Sequence, residues 1–323
     1  MIRFATIGSN VIVDAFLRGA AHDPRFAWQA VYSRTQERAD LFAAKYGITK
    51  TYTSLQALAA DPQIDAVYIA SPNCFHAPQA ILMMEHGKHV LCEKPLAPSL
   101  EESQAMVCAA QKHGVVLMEA MKTTLLPNFA RVREALPRLG TIRRYFAQFC
   151  QYSSRYDRFK NGIIENAFRA GMGNGALRDL GVYGLAPLVH LFGMPQQLQA
   201  SAIRLSTGVD GQGSVLMTYP GMEAVVLFSK ISDSRLPSEI QGEAGRIVIQ
   251  QLSNMERPVL ELRDGSVTDL SVPTLEDNLY YELKEFLDVI ESGAGESAVN
   301  THQRSLDVLE LVEKAEAAAC SGC

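Results

Sequence analysis

Residues 89–98, HVLCEKPLAP, decide the fold. Val90, Leu91 and Cys92 form a short apolar run that leads directly into Glu93, Lys94 and Pro95. A buried strand ending in a charged pair and a proline sets those charges at the carboxyl edge of a sheet. In open α/β sheets that edge is where ligands bind. Lys94 is therefore the first candidate for a chemical group, with Glu93 beside it.

Working outward, the same grammar repeats. Upstream, residues 65–70 (DAVYIA) read as a second apolar strand that ends in Ser71, Pro72 and Asn73, before a helix over about 76–86. Downstream, a helix over 99–113 leads to a strand at 115–120. Nearer the N-terminus come a strand at 2–8, a helix over 10–21, a strand at 27–32, a helix from about Thr35, a short strand at 50–52 and a helix over 54–60. This alternation predicts a parallel sheet with right-handed crossovers. Ser71, Asn73 and Lys94 then share one edge with the turn after Gly8. His76, at the start of its helix, reads equally as a capping histidine and as a catalytic one.

The turn Gly8-Ser9-Asn10-Val11 lies where a dinucleotide fold holds a pyrophosphate on a helix N-terminus. Only the first of the usual three glycines is present: Asn10 and Val13 stand at the other two positions. Asparagine tolerates left-handed backbone and caps helices, so the loop remains workable. An ordinary strand-turn-helix fits the same residues. The strand at 27–32 ends in Ser33 and Arg34, with Arg38 one turn further on. A site for NAD usually sets an acidic side chain there, against the ribose hydroxyls. A hydroxyl and guanidinium groups favour a 2′-phosphate, hence NADP over NAD; the alternative is a solvated arginine at a helix start.

After Met121 the pattern changes. A helix over 127–139 and a long strand at 141–152 precede the loop 153–166, SSRYDRFKNGIIEN. Alternating strands follow at about 198–206, 213–219, 223–230, 245–250 and 258–263, with turns at 219–222, 243–245 and 264–265. Helices begin near Leu279 and span 302–319. The fold class is α/β: a doubly wound parallel sheet over 1–121, then an α+β domain over 122–323 with a large, open, mostly antiparallel sheet. Within the second domain, GNGALRDLGVY (173–183) brings glycines, Asp179 and Tyr183 together, the last two spaced to share a helix face, with His190 two turns beyond. An aspartate and a tyrosine presented together could orient and protonate a carbonyl or hydroxyl. A capping aspartate and a core tyrosine are the plainer alternative.

Composition narrows the class. Of 323 residues 47% are hydrophobic and 20% charged, as in ordinary globular proteins, and the net charge of -5 argues against nucleic acid or anionic membrane as partner. No apolar run approaches the roughly 18 residues of a membrane span. Met1 runs straight into the first strand, which predicts no leader and a cytoplasmic setting. The six cysteines are scattered as in a reduced protein. Cys320 and Cys323 form a terminal CSGC with no second pair and no nearby histidine; it reads as a frayed end, and no metal is expected.

Taken together, LCEKPL (91–96), LMEA (117–120), YSSRYDRFK (152–160) and GALRDLGVYGL (175–185) resemble the Gfo/Idh/MocA family, over nearly the whole chain. Tyr183, where inositol dehydrogenases carry histidine, makes it similar to the dihydrodiol and xylose dehydrogenase branch. The resemblance implies an N-terminal Rossmann domain binding NAD(P) and a C-terminal sheet that supports a homodimer or a higher homo-oligomer. It implies that Lys94 bonds the substrate oxygen and helps place the nicotinamide ribose, that the Lys94–Pro95 peptide is cis, that Tyr183 is the acid/base and that Asp179 orients substrate. Gly8, Ser9, Asn10, Val11, Ser33, Arg34, Arg38, Ser71, Asn73, His76 and Glu93 are the expected cofactor residues. Arg155 and Tyr156 are candidates for reading substrate hydroxyls, or part of a solvated loop. Asn10 departs from the usual loop glycine, and Lys122 from the bulky aromatic often found after LMEA, so substrate preference does not carry over.

The expected reaction moves hydride between a nicotinamide and a carbinol carbon of a sugar, cyclic polyol or dihydrodiol. A tyrosine titrates near pH 10. Lys94 nearby would favour its phenolate and an ionised Asp179 would oppose it, which leaves Asp179 a positional role. Two other classes share the fold: a dinucleotide-binding regulator without turnover, and an NAD-dependent glycosidase.

Overall fold

The computed structural model describes residues 1–320, so Cys323 of the CSGC pair lies outside the described residues. The chain divides into two compact units. The first comprises residues 1–122 and 275–305; the second comprises residues 123–274 and the chain from Leu306 onward.

The first unit alternates strand and helix: β1 (Ile2–Ile7), α1 (Val11–Ala20), β2 (Phe26–Tyr32), α2 (Gln36–Lys45), β3 (Lys50–Tyr52), α3 (Leu55–Ala59), β4 (Ala66–Ile69), α4 (His76–Glu85), β5 (His89–Glu93), α5 (Leu100–His113) and β6 (Leu117–Ala120). The six strands are all parallel, in the order β3-β2-β1-β4-β5-β6. Every residue of β4 and β6 is buried, as expected of strands covered on both faces. Helix starts follow local chemistry: the side chains of Asn10, Thr35, Ser54 and Ser99 each accept from a first-turn N–H. The Ser99 hydroxyl also donates to the Glu102 carboxylate at 3.0 Å. Gly114, at φ +63°, closes α5 in the left-handed conformation that glycine adopts without strain.

The second unit contains α6 (Pro127–Ala135), β7 (Ile142–Cys150), α7 (Tyr156–Lys160), a π-helical turn (Leu177–Gly181) and α8 (Val182–Phe192). Then come β8 (Gln197–Arg204), β9 (Asp210–Tyr219), β10 (Met222–Ser229), β11 (Ser238–Gly242), β12 (Gly245–Ile249), β13 (Val259–Leu262) and β14 (Val267–Asp269). They form one eight-stranded sheet, ordered β14-β13-β12-β11-β7-β10-β9-β8, antiparallel except for the β7–β10 pair. One face is core: Tyr145, Ala147, Val215, Met217, Ala224, Val226 and Phe228 are buried. Helix α8 lies directly on it. A Cβ at Gly184 would sit 2.7 Å from Val226 Cγ1, and the Tyr145 hydroxyl donates to the Gly184 carbonyl at 2.9 Å. The other face is partly open, with Leu216 41% and Ile203 54% exposed.

Four local expectations need correction. The helix expected over 127–139 stops being α-helical at Ala135, and Pro137 finishes it as a 3-10 turn. Strand β11 alternates its two buried residues, Ser238 and Ile240, with Glu239 and Gln241, and so lacks an apolar signal. Strand β14 has three residues and no buried one. Helix α7 sits inside what reads as a loop; at five residues it is too short to show periodicity.

The chain returns to the first unit with α9 (Tyr280–Ser292), and α10 (His302–Cys320) follows, its residues from Leu306 onward belonging to the second unit. Gly19 of α1 approaches α9 so closely that a Cβ would lie 2.7 Å from the Tyr280 nitrogen. Phe286 is fully buried and meets Phe4 of β1 edge-on, with ring centroids 6.0 Å apart. Arg25 ties the same helix down, bonding Asp288 at 2.7 Å and Glu291 at 2.8 Å. No helix among the described residues is long and apolar enough to cross a membrane. Truncating Phe286→Ala should cost about 3–5 kcal/mol, the usual range for a buried aromatic. Urea unfolding followed by circular dichroism measures it, and a loss below about 1 kcal/mol would mean α9 is not part of this core.

Candidate active-site residues

The carboxyl edge of the parallel sheet carries the nucleotide-type residues. Gly8 has φ +125°, and a Cβ there would lie 2.9 Å from the Ala70 carbonyl oxygen, so the turn out of β1 admits only glycine without strain. Asn10 works in two directions: its Oδ1 accepts from the Val13 N–H at 3.3 Å and its Nδ2 donates to the Ala70 carbonyl at 2.9 Å. The residue that departs from the glycine pattern thus caps α1 and fastens the turn to the end of β4. Ser33 is buried and its N–H donates to the Tyr52 carbonyl at 3.0 Å, whereas Arg34 and Arg38 are exposed at the start of α2.

Ser71 and Asn73 follow β4. The Ser71 hydroxyl donates to Gln79 Oε1 at 2.6 Å. His76 is fully buried, with Nε2 2.9 Å from the Ser71 carbonyl and Nδ1 3.1 Å from the Pro95 carbonyl. It lies between the loops after β4 and β5; burial lowers its pKa, opposed by the two carbonyls, which favour the protonated ring.

The Lys94–Pro95 peptide is cis. Around Lys94 lies an acidic cluster that sequence alone does not reveal. Glu93 accepts from the Tyr68 hydroxyl at 2.5 Å. Burial raises its pKa, against the pull of Lys94 and of the Tyr68 hydrogen bond. Glu282 of α9 is fully buried, and neither carboxyl oxygen has a hydrogen-bond partner among the described residues. Burial and then the charge of Glu93 push its carboxyl well up, while Lys122 opposes them. A buried carboxyl in such surroundings favours its protonated form. Glu119 accepts from the Leu96 N–H at 3.0 Å, and burial pushes its pKa up to about 7.

In the second unit the motif around Asp179 is held from several directions. Gly175 leaves no room for a side chain: a Cβ would fall 2.0 Å from Asp210 Oδ1. The other carboxyl oxygen of Asp210 accepts from the Leu177 N–H at 2.7 Å. Arg178 forks onto Glu316 at 2.7 and 2.6 Å. Asp179 pairs through Oδ2 with the ammonium of Lys230 at 2.8 Å. The turn carrying it is π-helical, so the four-residue step to Tyr183 falls short of a full turn there, unlike the shared α-helical face that the spacing predicts. Tyr183 is half-buried and meets Phe149 edge-on at 5.5 Å, and His190 meets Phe129 in the same manner at 4.9 Å. Arg155 is exposed and paired with Glu165 at 3.4 Å, while Tyr156 belongs to an aromatic cluster with Phe159 and Phe168.

Residues 2–121 match the oxidoreductase family with an NAD-binding Rossmann fold, and residues 129–248 match the GFO/IDH/MocA C-terminal domain. The chain belongs to the Gfo/Idh/MocA oxidoreductase family. Within this family it is 50% identical to the scyllo-inositol 2-dehydrogenase (NADP(+)) IolU of Bacillus subtilis (strain 168), over 98% of this chain and 96% of that one. It is 31% identical to the trans-1,2-dihydrobenzene-1,2-diol dehydrogenase of Danio rerio, over 88% of this chain and 86% of that one. Among solved structures, a 3-ketoreductase from Actinomadura kijaniata in complex with NADP and TDP-benzene matches with TM-score 0.86 and 24% identity, covering 98% and 97% of the two chains. At that identity the likeness speaks for the fold.

Of the Gfo/Idh/MocA residues expected from sequence, Gly8, Ser71, Asn73, Glu93 and Lys94 stand at one sheet edge, with Ser33 and Arg34 after the neighbouring β2. Asp179 and Tyr183 stand in the second unit. Lys230, Asp210 and Glu282 are additional. Lys230 had a readable signal, a lysine closing the apolar run MEAVVLFS (222–229), the same pattern that singles out Lys94. Glu282 had none, since YYELKEF (280–286) looks like any amphipathic helix start.

The buried Glu119 makes stability depend on pH. Its pKa rises from 4.5 to about 7 on folding, so the folded state favours the protonated form. Its contribution is intact below pH 4.5 and is lost as pH climbs through 7, by about 3 kcal/mol. Glu119→Gln should leave stability unchanged near pH 4.5 and raise it progressively up to pH 8, read from urea midpoints at each pH. A flat difference across that range would place Glu119 outside this linkage.

Proposed function

We propose that this chain is an NADP-dependent dehydrogenase of polyhydroxylated small molecules, with cyclic polyols first and sugars and dihydrodiols as related substrates. The observation that carries the proposal is the 50% identity, across 98% of the chain, with an enzyme that acts on scyllo-inositol with NADP(+).

The first unit suits a dinucleotide on its own geometry. A glycine that lets the β1 turn pass against Ala70 leads into the capped, ten-residue α1, whose first N–H groups have no intrahelical partners and suit a pyrophosphate. Ser9, Asn10 and Val11 would line that turn. Ser71 and Asn73, on the loop that His76 touches, would flank the nicotinamide side. Exposed Arg34 and Arg38, with Ser33, would hold a 2′-phosphate. When bound, the cofactor supplies or accepts the hydride.

The chain's own residues would do the rest. Lys94 would hold the reacting oxygen and stabilise negative charge as it develops there. The phenol of Tyr183 would take the hydroxyl proton in oxidation and return it in reduction. Asp179, an acceptor when ionised, would orient a neighbouring hydroxyl. Glu93 would sit behind Lys94 as part of the cofactor pocket. Arg155 and Tyr156 would act less directly, through the aromatic cluster that shapes the loop.

Two features extend the reading. The partly open face of the eight-stranded sheet, with Leu216 and Ile203, suits a homodimer or higher homo-oligomer. The thiols of Cys92, Cys108 and Cys150, none of them in a disulfide, suit a reducing, cytoplasmic setting.

Purified protein should reduce NADP with inositols, aldoses or trans-dihydrodiols, followed by absorbance. Absence of turnover across all three classes in both directions would leave a regulator as the better reading. Lys94→Met and Tyr183→Phe should each lower kcat by about 100-fold or more, the usual scale for an acid/base or charge-stabilising group. Arg34→Ala should weaken NADPH binding by roughly 10-fold and leave NADH unchanged, as loss of a hydrogen bond to a charged group requires. Near-normal turnover in both catalytic variants would remove the acid/base assignment.

A further inference from the structure

We propose that Lys230 is a positioning residue for the reaction: it holds the Asp179 carboxylate in one ionised, fixed orientation in front of the substrate. The inference rests on the reading of Asp179 as a substrate-orienting group.

The argument begins with what burying a lysine demands. Lys230 closes β10, and its side chain is 5% exposed. An ammonium removed from water costs several kcal/mol unless its donors are satisfied. Here Nζ lies 2.8 Å from Asp179 Oδ2, 3.4 Å from the Ala167 carbonyl, and 5.3 Å from the centroid of the Phe168 ring. The pair is lopsided. Its cation is sunk in the unit, whereas the Asp179 side chain remains 43% exposed. Cohesion alone would be served as well by an apolar residue at 230, without the cost of desolvating an ammonium.

The same chain holds a contrasting lysine. Lys88 is also buried, but its ammonium ends on the backbone carbonyls of Asp61 and Ile64, at 2.7 and 2.8 Å. That is a closed structural arrangement presenting nothing outward. Lys230 spends its strongest contact on a carboxylate that reaches solvent.

Arg178, the residue before Asp179, is committed to Glu316. Asp210, the other carboxylate nearby, bonds the Leu177 N–H and feels the charge of Lys230 as well. The π-helical turn sets Asp179 out of α-helical register, and Lys230 pins it there. With its charge partly offset, Asp179 accepts a substrate hydroxyl while opposing the Tyr183 phenolate less.

The test is a double-mutant cycle on full-length protein with NADP and the best polyol found. Lys230→Met should lower kcat/KM for the polyol by on the order of 100-fold, as misplacement of an orienting group does. The Kd for NADPH, read by fluorescence, should not change. Adding Lys230→Met to Asp179→Asn should cost nothing further, because the lysine acts only through the aspartate. Lys230→Arg should restore part of the lost kcat/KM. If Lys230→Met does not fold, Lys230→Gln, uncharged but still a donor, takes its place in the cycle.

Equal and independent losses in the two single variants would overturn the proposal, as would a loss accounted for wholly by a smaller folded fraction with KM unchanged. If Asp179→Asn is impaired while the Lys230 variants are normal, the positioning role alone falls. If Asp179→Asn is fully active, the assignment of Asp179 to substrate falls with it.

Discussion

The meeting of β1 and β4 is the constraint on which the first unit turns. Strand order reverses between them, so the chain leaves their carboxyl ends in opposite directions and a crevice opens at that point. Two backbone ends must pass within contact distance, which Gly8 permits, and must stay joined, which the Asn10 side chain ensures through the Ala70 carbonyl. With that junction made, right-handed crossovers bring the ends of β2, β4 and β5 to the same side. Ser33, Ser71, Asn73 and Lys94 inherit their placement from it.

Both units bury charged groups, and each does so by more than one means. The first gathers carboxyls: Glu119 and Glu282 are sequestered and Glu93 largely so, each with its pKa raised by burial. Protonation is the cheap way to keep such groups out of water. The second unit keeps its buried charges paired, Arg178 with Glu316 and Lys230 with Asp179, and saturates Asp210 with a backbone N–H. Each raised pKa shifts its carboxyl toward the protonated form, which lessens the negative charge gathered near Lys94.

How much of this could be read from the sequence depended on length scale. The β-α alternation, the open edge after Cys92 and the sheet of the second unit all rest on periodicity across many residues, and all are legible. Strands β11 and β14 fail that test because one is polar and the other has three residues. Helix α7 is stabilised by side-chain pairs such as Asp157 with Lys160, contacts that a pattern of apolar positions does not register. The π turn at Leu177–Gly181 depends on Asp210, more than thirty residues downstream in sequence, holding the Leu177 N–H. Lys94 and Lys230 both close apolar runs, but the meaning of Lys230 depends on Asp179, fifty-one positions away in sequence and 2.8 Å away in space.

The path of the chain has a consequence for how such a protein can be taken apart or recombined. The polypeptide leaves the first unit after Lys122, returns at Leu275 and leaves again after Ser305. The two units are thus interleaved along the chain, each built from two segments. Genetic exchange that swaps one half by a single joint near residue 122 would strand α9, removing Phe286 from Phe4 and the start of α9 from Gly19. Transplanting a new second unit onto this nucleotide-binding unit therefore takes three joints, and lineages of this architecture should have diverged by point change more readily than by modular shuffling.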